Sequence, residues 1–300
     1  MIVYPSYYKG FSCIASRCRH NCCIGWEIDI DRETFGKYAS VPGELGEKLR
    51  RSVSGGDAPH FLLGEGGRCP FLNGDNLCEL ILALGEDSLC QICRDHPRFR
   101  NEFSGRTEMG VGLACEEAGR IILSRREPME LISEGESAAA NPDGEEILEF
   151  REGLLEILWD TARPMAERME ELLLESDAGR IPLPVGVAAL RHLEVLDPCW
   201  AELLAGLPCD EPDVPTGLEP LYEYLLYRHL PAAYDDGDPA GKVCFSDFAV
   251  RLIAALCAAH GDAPENRIEF ARLFSGEIEY SAENTDALYA LAAEETEAIS

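Results

Sequence analysis

The run Cys13-Ile14-Ala15-Ser16-Arg17-Cys18-Arg19-His20-Asn21-Cys22-Cys23 places four cysteines within eleven residues. Cys69-x8-Cys78, Cys90-x2-Cys93 and Cys115 follow, so nine of the thirteen cysteines fall within 103 residues. Thiolates are soft, anionic ligands for zinc and for iron–sulfur clusters. Ligands three or four residues apart can face one ion without a long loop to close. A lone C-x2-C carries little weight, but nine cysteines so spaced point to a bound metal centre. Cys22 and Cys23 are adjacent, so on a regular helix or strand they face different ways and would not serve one ion. Eight or nine thiols suit two four-thiolate sites, or one cluster with spare thiols.

The segment around these cysteines is short-element and turn-rich. Gly10, Gly25, Gly43, Gly46, Gly55, Gly56, Gly64, Gly66 and Gly67 punctuate it, and Gly64-Glu65-Gly66-Gly67 reads as a flexible loop. Chains of this kind close a small core with a metal as staple. Gly112 to Ser124 regains a short helical pattern. Ser133 to Gly144 reads as a linker. Beyond it the apolar residues recur at three and four: Ile147, Phe150, Leu154, Leu155 and Leu158; Met165 to Leu174 after Pro164; Leu218 to His229; Phe245 to Leu256. Two more helices are expected at 264–274 and 283–298. The reading is a mainly α protein, with a small metal-bound module at 1–130, a linker at 131–144 and an acidic helical domain at 145–300.

Charge divides at the same place. Residues 1–130 carry 16 basic and 19 acidic side chains, whereas residues 131–300 carry 10 and 36, within a total of −29. Phosphate binding needs clustered Lys and Arg, so the acidic half argues against nucleic acid as a partner. The acidic half suits a basic or lysine-bearing partner, although a solvated acidic surface is its ordinary reading. The run Leu252 to Ala259 is about half a bilayer span, so no membrane segment is expected. Met1-Ile2-Val3-Tyr4-Pro5 has neither a basic leader nor a long apolar region, and a cytoplasmic location is expected. Thiols there are reduced or metal-bound.

The pattern Pro5-x-Tyr7-x3-Phe11-x-Cys13-x4-Cys18-x3-Cys22-Cys23-x2-Trp26, followed by Asp29-Ile30-Asp31, resembles the opening of the flagellin lysine-N-methylase family. That family lies in a wider group of zinc- or iron-chelating cysteine-cluster proteins. The likeness continues through Cys69-Pro70-Phe71-Leu72, Leu77-Cys78, Leu84-Gly85-Glu86, Cys93-Arg94-x2-Pro97-Arg98 and Leu113-x-Cys115. It extends loosely to the Tyr- and Arg-bearing stretch Leu218 to Leu230. Cys115 is followed by Glu116 where the family has proline, and Cys90 is extra beside Cys93. The resemblance implies methyl transfer from S-adenosylmethionine to flagellin lysines, and an iron–sulfur cluster of the 4Fe–4S type, with zinc as the alternative. The metal ligands on this reading are Cys13, Cys18, Cys22, Cys23, Cys69, Cys78, Cys93 and Cys115, with Cys90 as a possible substitute. There is no Gly-x-Gly-x-Gly nucleotide loop and no Cys-x3-Cys-x2-Cys signature.

Other residues bear on chemistry. Arg94 and Arg98 flank Cys93 and could hold a cofactor carboxylate through the guanidinium fork, or form salt bridges. Tyr7 and Tyr8 are the catalytic candidates, and with Trp26 could wall a lysine or sulfonium by cation–π attraction. Core packing is their ordinary role. His96 is read as a turn histidine, and Glu27, Asp29 and Asp31 as a solvated acidic face. Cys199, Cys209, Cys244 and Cys257 are read mostly as small buried hydrophobes.

Overall fold

The computed structural model describes residues 1–136, 141–207 and 210–298. The chain is mainly helical with one small mixed sheet. It divides into two compact units, residues 12–98 and residues 1–11 with 99–300.

The unit of residues 12–98 holds α1 (Arg32–Ser40), α2 (Gly43–Ser52), α3 (Glu79–Leu84) and α4 (Gln91–Asp95). Asp31 caps α1 by accepting the Thr34 amide at 2.9 Å, and its other carboxylate oxygen accepts the Gln91 amide at 3.0 Å. Neither α1 nor α2 is expected from the sequence. Only Thr34 and Tyr38 of α1, and Gly46 and Leu49 of α2, are buried, too few positions to set a readable period. The core is Ile30, Tyr38, Leu49, Phe61, Phe71, Leu80 and Cys90, with Cys69, Cys78 and Cys93 packed against it. Isolated bridges join Ile24 to Arg68, Asp29 to His60, Val53 to Phe61 and Leu72 to Cys78. So small a core leaves the cysteines as part of the packing.

The other unit opens with β1 (Ile2–Pro5) and resumes with β2 (Arg98–Phe103), whose first residue belongs to the preceding unit. The two-residue turn Ser104-Gly105, with φ of +47° and +72°, leads into β3 (Arg106–Val111). After α5 (Glu116–Leu123) comes β4 (Leu131–Glu134). The sheet order is β2-β3-β1-β4, with β1 parallel to β3 and antiparallel to β4. The expected boundary at residue 130 therefore does not match the packing: residues 131–134 are a strand, not linker. Charge composition records surface, whereas strand pairing ties residues 2–5 to residues 106–111 and 131–134. Residues 137–140 of the expected linker lie outside the described residues.

Then come α6 (Pro142–Leu158), α7 (Met165–Glu175), α8 (Leu183–Leu190), α9 (Pro198–Ala205), α10 (Glu219–His229), α11 (Ala233–Asp236), α12 (Pro239–His260), α13 (Pro264–Phe274) and α14 (Ala282–Glu297). A π-helical turn, Ser275–Glu279, follows α13. Helix α12 is buried from Gly241 to Cys257 and packs on α7, α8, α10, α13 and α14, as a helix apolar all round must. By length and composition it could cross a bilayer, unlike any stretch expected from the sequence, but it is the enclosed core helix of this unit. Its polar side chains are paired: Lys242 with Asp236 at 2.6 Å, and Arg251 with Asp247 and Glu211 at 2.7 Å each. Arg151 of α6 fastens the sheet by a two-pronged contact to Glu108 of β3, at 2.6 and 2.7 Å. Cys244 and Cys257 are buried, and burial pushes their thiols up to about 11 and about 12. Cys199 is the exposed one of the three described, on the first turn of α9 beside its cap, Asp197. Cys209 lies outside the described residues.

Candidate metal centre

The cysteines of residues 12–98 are gathered by turns. Cys22 and Cys23 sit in a turn, so the two-face rule for helix or strand does not govern them, and their thiols meet. The Cys23 carbonyl accepts the Cys69 amide at 2.8 Å, and the Gly25 amide donates to Gly67 at 2.9 Å. Gly25 and Gly67 have φ of +83° and +71°, and a Cβ on Gly67 would lie 3.2 Å from the Gly25 nitrogen. Glycine here is what lets Cys23 and Cys69 come alongside. The expected flexible loop of residues 64–67 is thus an ordered turn with a fixed task. Farther on, the Asn73 carboxamide oxygen accepts the Asp75 and Leu77 amides at 2.9 Å each, closing the turn that brings Cys78 back against Leu72. Cys78 and Cys90 are the cap residues of α3 and α4, and Cys93 lies one turn into α4.

Six thiols act on one another electrostatically. Cys22 is held down to about 4 by the Cys23 thiol and, despite burial, by His96. Cys23 is pushed far up by its hydrogen bond to Cys22, by burial, and by the charges of Cys22, Cys69 and Cys78. Cys93 is raised by its bond to Cys90, by burial, and by Cys90, Cys23 and Cys69; Cys90 is correspondingly lowered by Cys93. Burial and the neighbouring Cys78 and Cys90 raise Cys69. Cys22, Cys23, Cys69, Cys78, Cys90 and Cys93 are soft donors whose thiolate charge a bound cation would stabilise, so the chemistry of the donor set suits a thiolate-ligated metal. Cys90, the residue that precedes α4, lies beside Cys93, and the two thiols hydrogen-bond. His96, which the sequence assigns to a turn, faces Cys22.

Cys13 is exposed, with its sulfur accepting the Ala15 amide at 3.3 Å. The Cys18 thiol donates to the His20 carbonyl at 2.9 Å. Cys115 belongs to the other unit, where it caps α5 and its charge acts on Tyr280. Arg94 is exposed in the last turn of α4, and Arg98 is half-buried at the start of β2. Glu27, Asp29 and His60 bring their ligand atoms within 4.8 Å of one another, with both carboxylates exposed as a solvated acidic face requires.

Tyr7 and Tyr8 pack within the helical unit. The Tyr7 hydroxyl donates to the Met129 sulfur at 3.7 Å, its ring faces Arg125 at 5.7 Å, and burial raises its pKa. Such a phenol stays protonated. Tyr8 stacks near Tyr4 at 5.6 Å. Sequence reasoning missed the polar network between α10 and the π turn. Arg228 donates to the Tyr224 hydroxyl at 2.7 Å and to the Glu279 carbonyl at 3.1 Å, with its Nε 3.3 Å from the Glu279 carboxylate. Burial opposes the charge of Glu279, but Arg228 and the His229 hydrogen bond hold it down to about 2. A neutral His229 with its proton on Nε2 donates to Glu279 at 2.7 Å and accepts from Tyr289 at 2.6 Å; burial lowers its pKa. The available signal was the charged and titratable side chains Glu219, Glu223, Arg228 and His229 among the apolar residues of α10, since a buried helix keeps charges only where they are paired.

No protein-family profile and no solved structure matches the chain. Curated relatives do. A protein named Lysine-N-methylase from Salmonella typhimurium is 29% identical over 144 residues, 43% of this chain and 34% of that protein. Flagellar biosynthetic protein FliU from Salmonella muenchen is 29% identical over 137 residues, again 43% of this chain, and 81% of its own length. The chain thus spans about a third of the length of the lysine-N-methylases it matches. It is a distant relative of the flagellin lysine-N-methylase family, matched over part of its length.

Proposed function

We propose that the protein is a cytoplasmic, S-adenosylmethionine-dependent lysine N-methyltransferase acting on flagellin, built on an iron–sulfur centre. The observation that carries this is the similarity to proteins named Lysine-N-methylase and FliU, in a chain whose unit of residues 12–98 has a small core with neighbouring thiols packed on it. Cys22, Cys23, Cys69, Cys78, Cys90 and Cys93 would hold the metal. Six exceed the four thiolates that either a zinc site or a 4Fe–4S cluster uses, so the choice of a cluster rests on the resemblance to the methylase family. The bound centre supplies folding energy to a unit poor in apolar core.

Methyl transfer itself needs alignment and a deprotonated amine. The lysine nitrogen forms the new C–N bond as the S–CH3 bond breaks, the sulfur keeps the electron pair, and the amine proton leaves to water. The strongly acidic helical unit suits a lysine-bearing protein surface.

The test is anaerobic purification, with optical spectrum, iron, sulfide and zinc analysis, followed by labelled methyl transfer to purified flagellin. Thiolate-bound iron and label on flagellin lysines are expected. Stoichiometric zinc without iron removes the cluster. An intact centre with no labelled lysine favours a metal-binding protein without catalysis, a reading to which the partial match to the relatives also lends weight.

A further inference from the structure

In a chain of net charge −29 with 26 basic residues, one cleft of the helical unit collects arginines. Its volume is about 490 Å³, and Arg125, Arg126, Arg267, Trp159, Thr161 and Thr216 line it. Two of the arginines are fixed. Arg125 pairs with the buried Glu223 carboxylate, and Arg267 grips Asp262, with 2.6 Å between Nη2 and Oδ2. Gly217, at φ of +92°, borders the cleft, and a Cβ there would lie 2.8 Å from the Arg267 guanidinium, so glycine leaves room for that side chain. The floor is closed by Glu219, 4% exposed, which accepts from Arg168 at 2.8 Å and from the Gly217 amide at 2.6 Å.

Arg126 differs. It is exposed, and its guanidinium donates only to the Arg125 carbonyl, at 3.1 Å; among the described residues no carboxylate pairs with it. An arginine without an acid, in so acidic a molecule, is a charge left for something else. Beside it, the Trp159 indole is pinned by its Nε1–H donating to Glu223 at 3.1 Å, with its ring half-exposed. An unpaired guanidinium, a fixed indole and two threonine hydroxyls suit a ligand with a carboxylate, a flat heterocycle and a polyhydroxyl linker. The volume is within the usual range for small-molecule sites.

We infer that this cleft binds the methyl donor, with Arg126 taking the carboxylate and Trp159 the adenine ring. The inference rests on the methylation reading above. Calorimetry on anaerobically purified protein with its metal centre intact tests it, using S-adenosylhomocysteine and 5′-methylthioadenosine, which keeps the nucleoside but lacks the carboxylate, alongside S-adenosylmethionine. Arg126→Ala should weaken S-adenosylmethionine and S-adenosylhomocysteine by about tenfold or more and leave 5′-methylthioadenosine unchanged. Arg126→Lys should recover part of the loss. Arg120→Ala, at an exposed arginine paired with Glu117, should change nothing. Trp159→Phe should abolish quenching of the indole fluorescence by the ligand. If wild type binds the donor and Arg126→Ala binds it equally, this cleft is not the site, and the methylation reading stands. If wild type with an intact centre binds no donor, both fall.

Discussion

The residues with the most to lose are the ones whose charge depends on a neighbour. Cys22→Ser and Cys93→Ser each remove a thiol whose pKa is set by others in the group. Each should lose metal, and with it the fold of residues 12–98, since ligand energy in such sites is folding energy. Cys244→Ser and Cys257→Ser, buried among helices, should keep full metal content. Metal analysis of all four decides it: equal loss in both pairs contradicts the division. In the helical unit, Glu279 is held at about 2 against an ordinary value of 4.5, and His229 lies below 6.5. Both shifts mean that the unfolded chain binds more protons. Stability from His229 should fall as pH drops below 6.5, and that from Glu279 should be present above 4.5 and fade towards 2. The groups facing them include Arg228, Tyr224, Tyr289, Lys242, Ser275 and Tyr280. Glu279→Gln leaves Arg228 buried without its acid and should cost roughly 3–5 kcal/mol at neutral pH. Denaturant unfolding from pH 7 to 2.5 should find the gap between variant and wild type closing below pH 4. A constant gap would contradict the ionised Glu279.

At the scale of elements, legibility followed burial. Helix α12 and helix α10 are enclosed on all sides, so their apolar residues repeat without interruption, and their sequence reads as helix even with Lys242, Asp247 and Arg251 inside. The strands were not legible. Strand β1 has four residues and β4 is exposed along its whole length, so neither offers the alternation that marks a half-buried strand. The cysteine turns were read as loops for the same reason: their order comes from contacts between distant segments, such as Cys23 with Cys69. Gly67→Ala tests that contact. It puts a side chain at positive φ and 3.2 Å from Gly25, and should cost about 1 kcal/mol or more. Metal content should fall with it, because the same contact seats two thiols. An unchanged metal content at unchanged stability would show that the turn has no such task.

For the whole molecule, composition and packing give different partitions, and each is informative about a different property. Packing assigns residues 1–11 to the helical unit, since β1 lies between β3 and β4. Composition assigns nearly all the net charge to residues 131–300, and that charge acts at a distance on whatever approaches. Attraction of that kind speeds encounter with a lysine-bearing surface but adds little to the bond-making step, where the reacting atoms are already aligned. It also fades with salt, because the screening length falls from about 10 Å at 0.1 M to about 3 Å at 1 M. On the methylation proposed above, steady-state kinetics with flagellin should therefore show KM rising steeply across that range while kcat changes little. A small lysine peptide of low charge should show a weaker KM dependence than the intact protein. If KM for flagellin is indifferent to salt, the acidic surface serves solvation alone, and substrate selection has to come from contacts at the site.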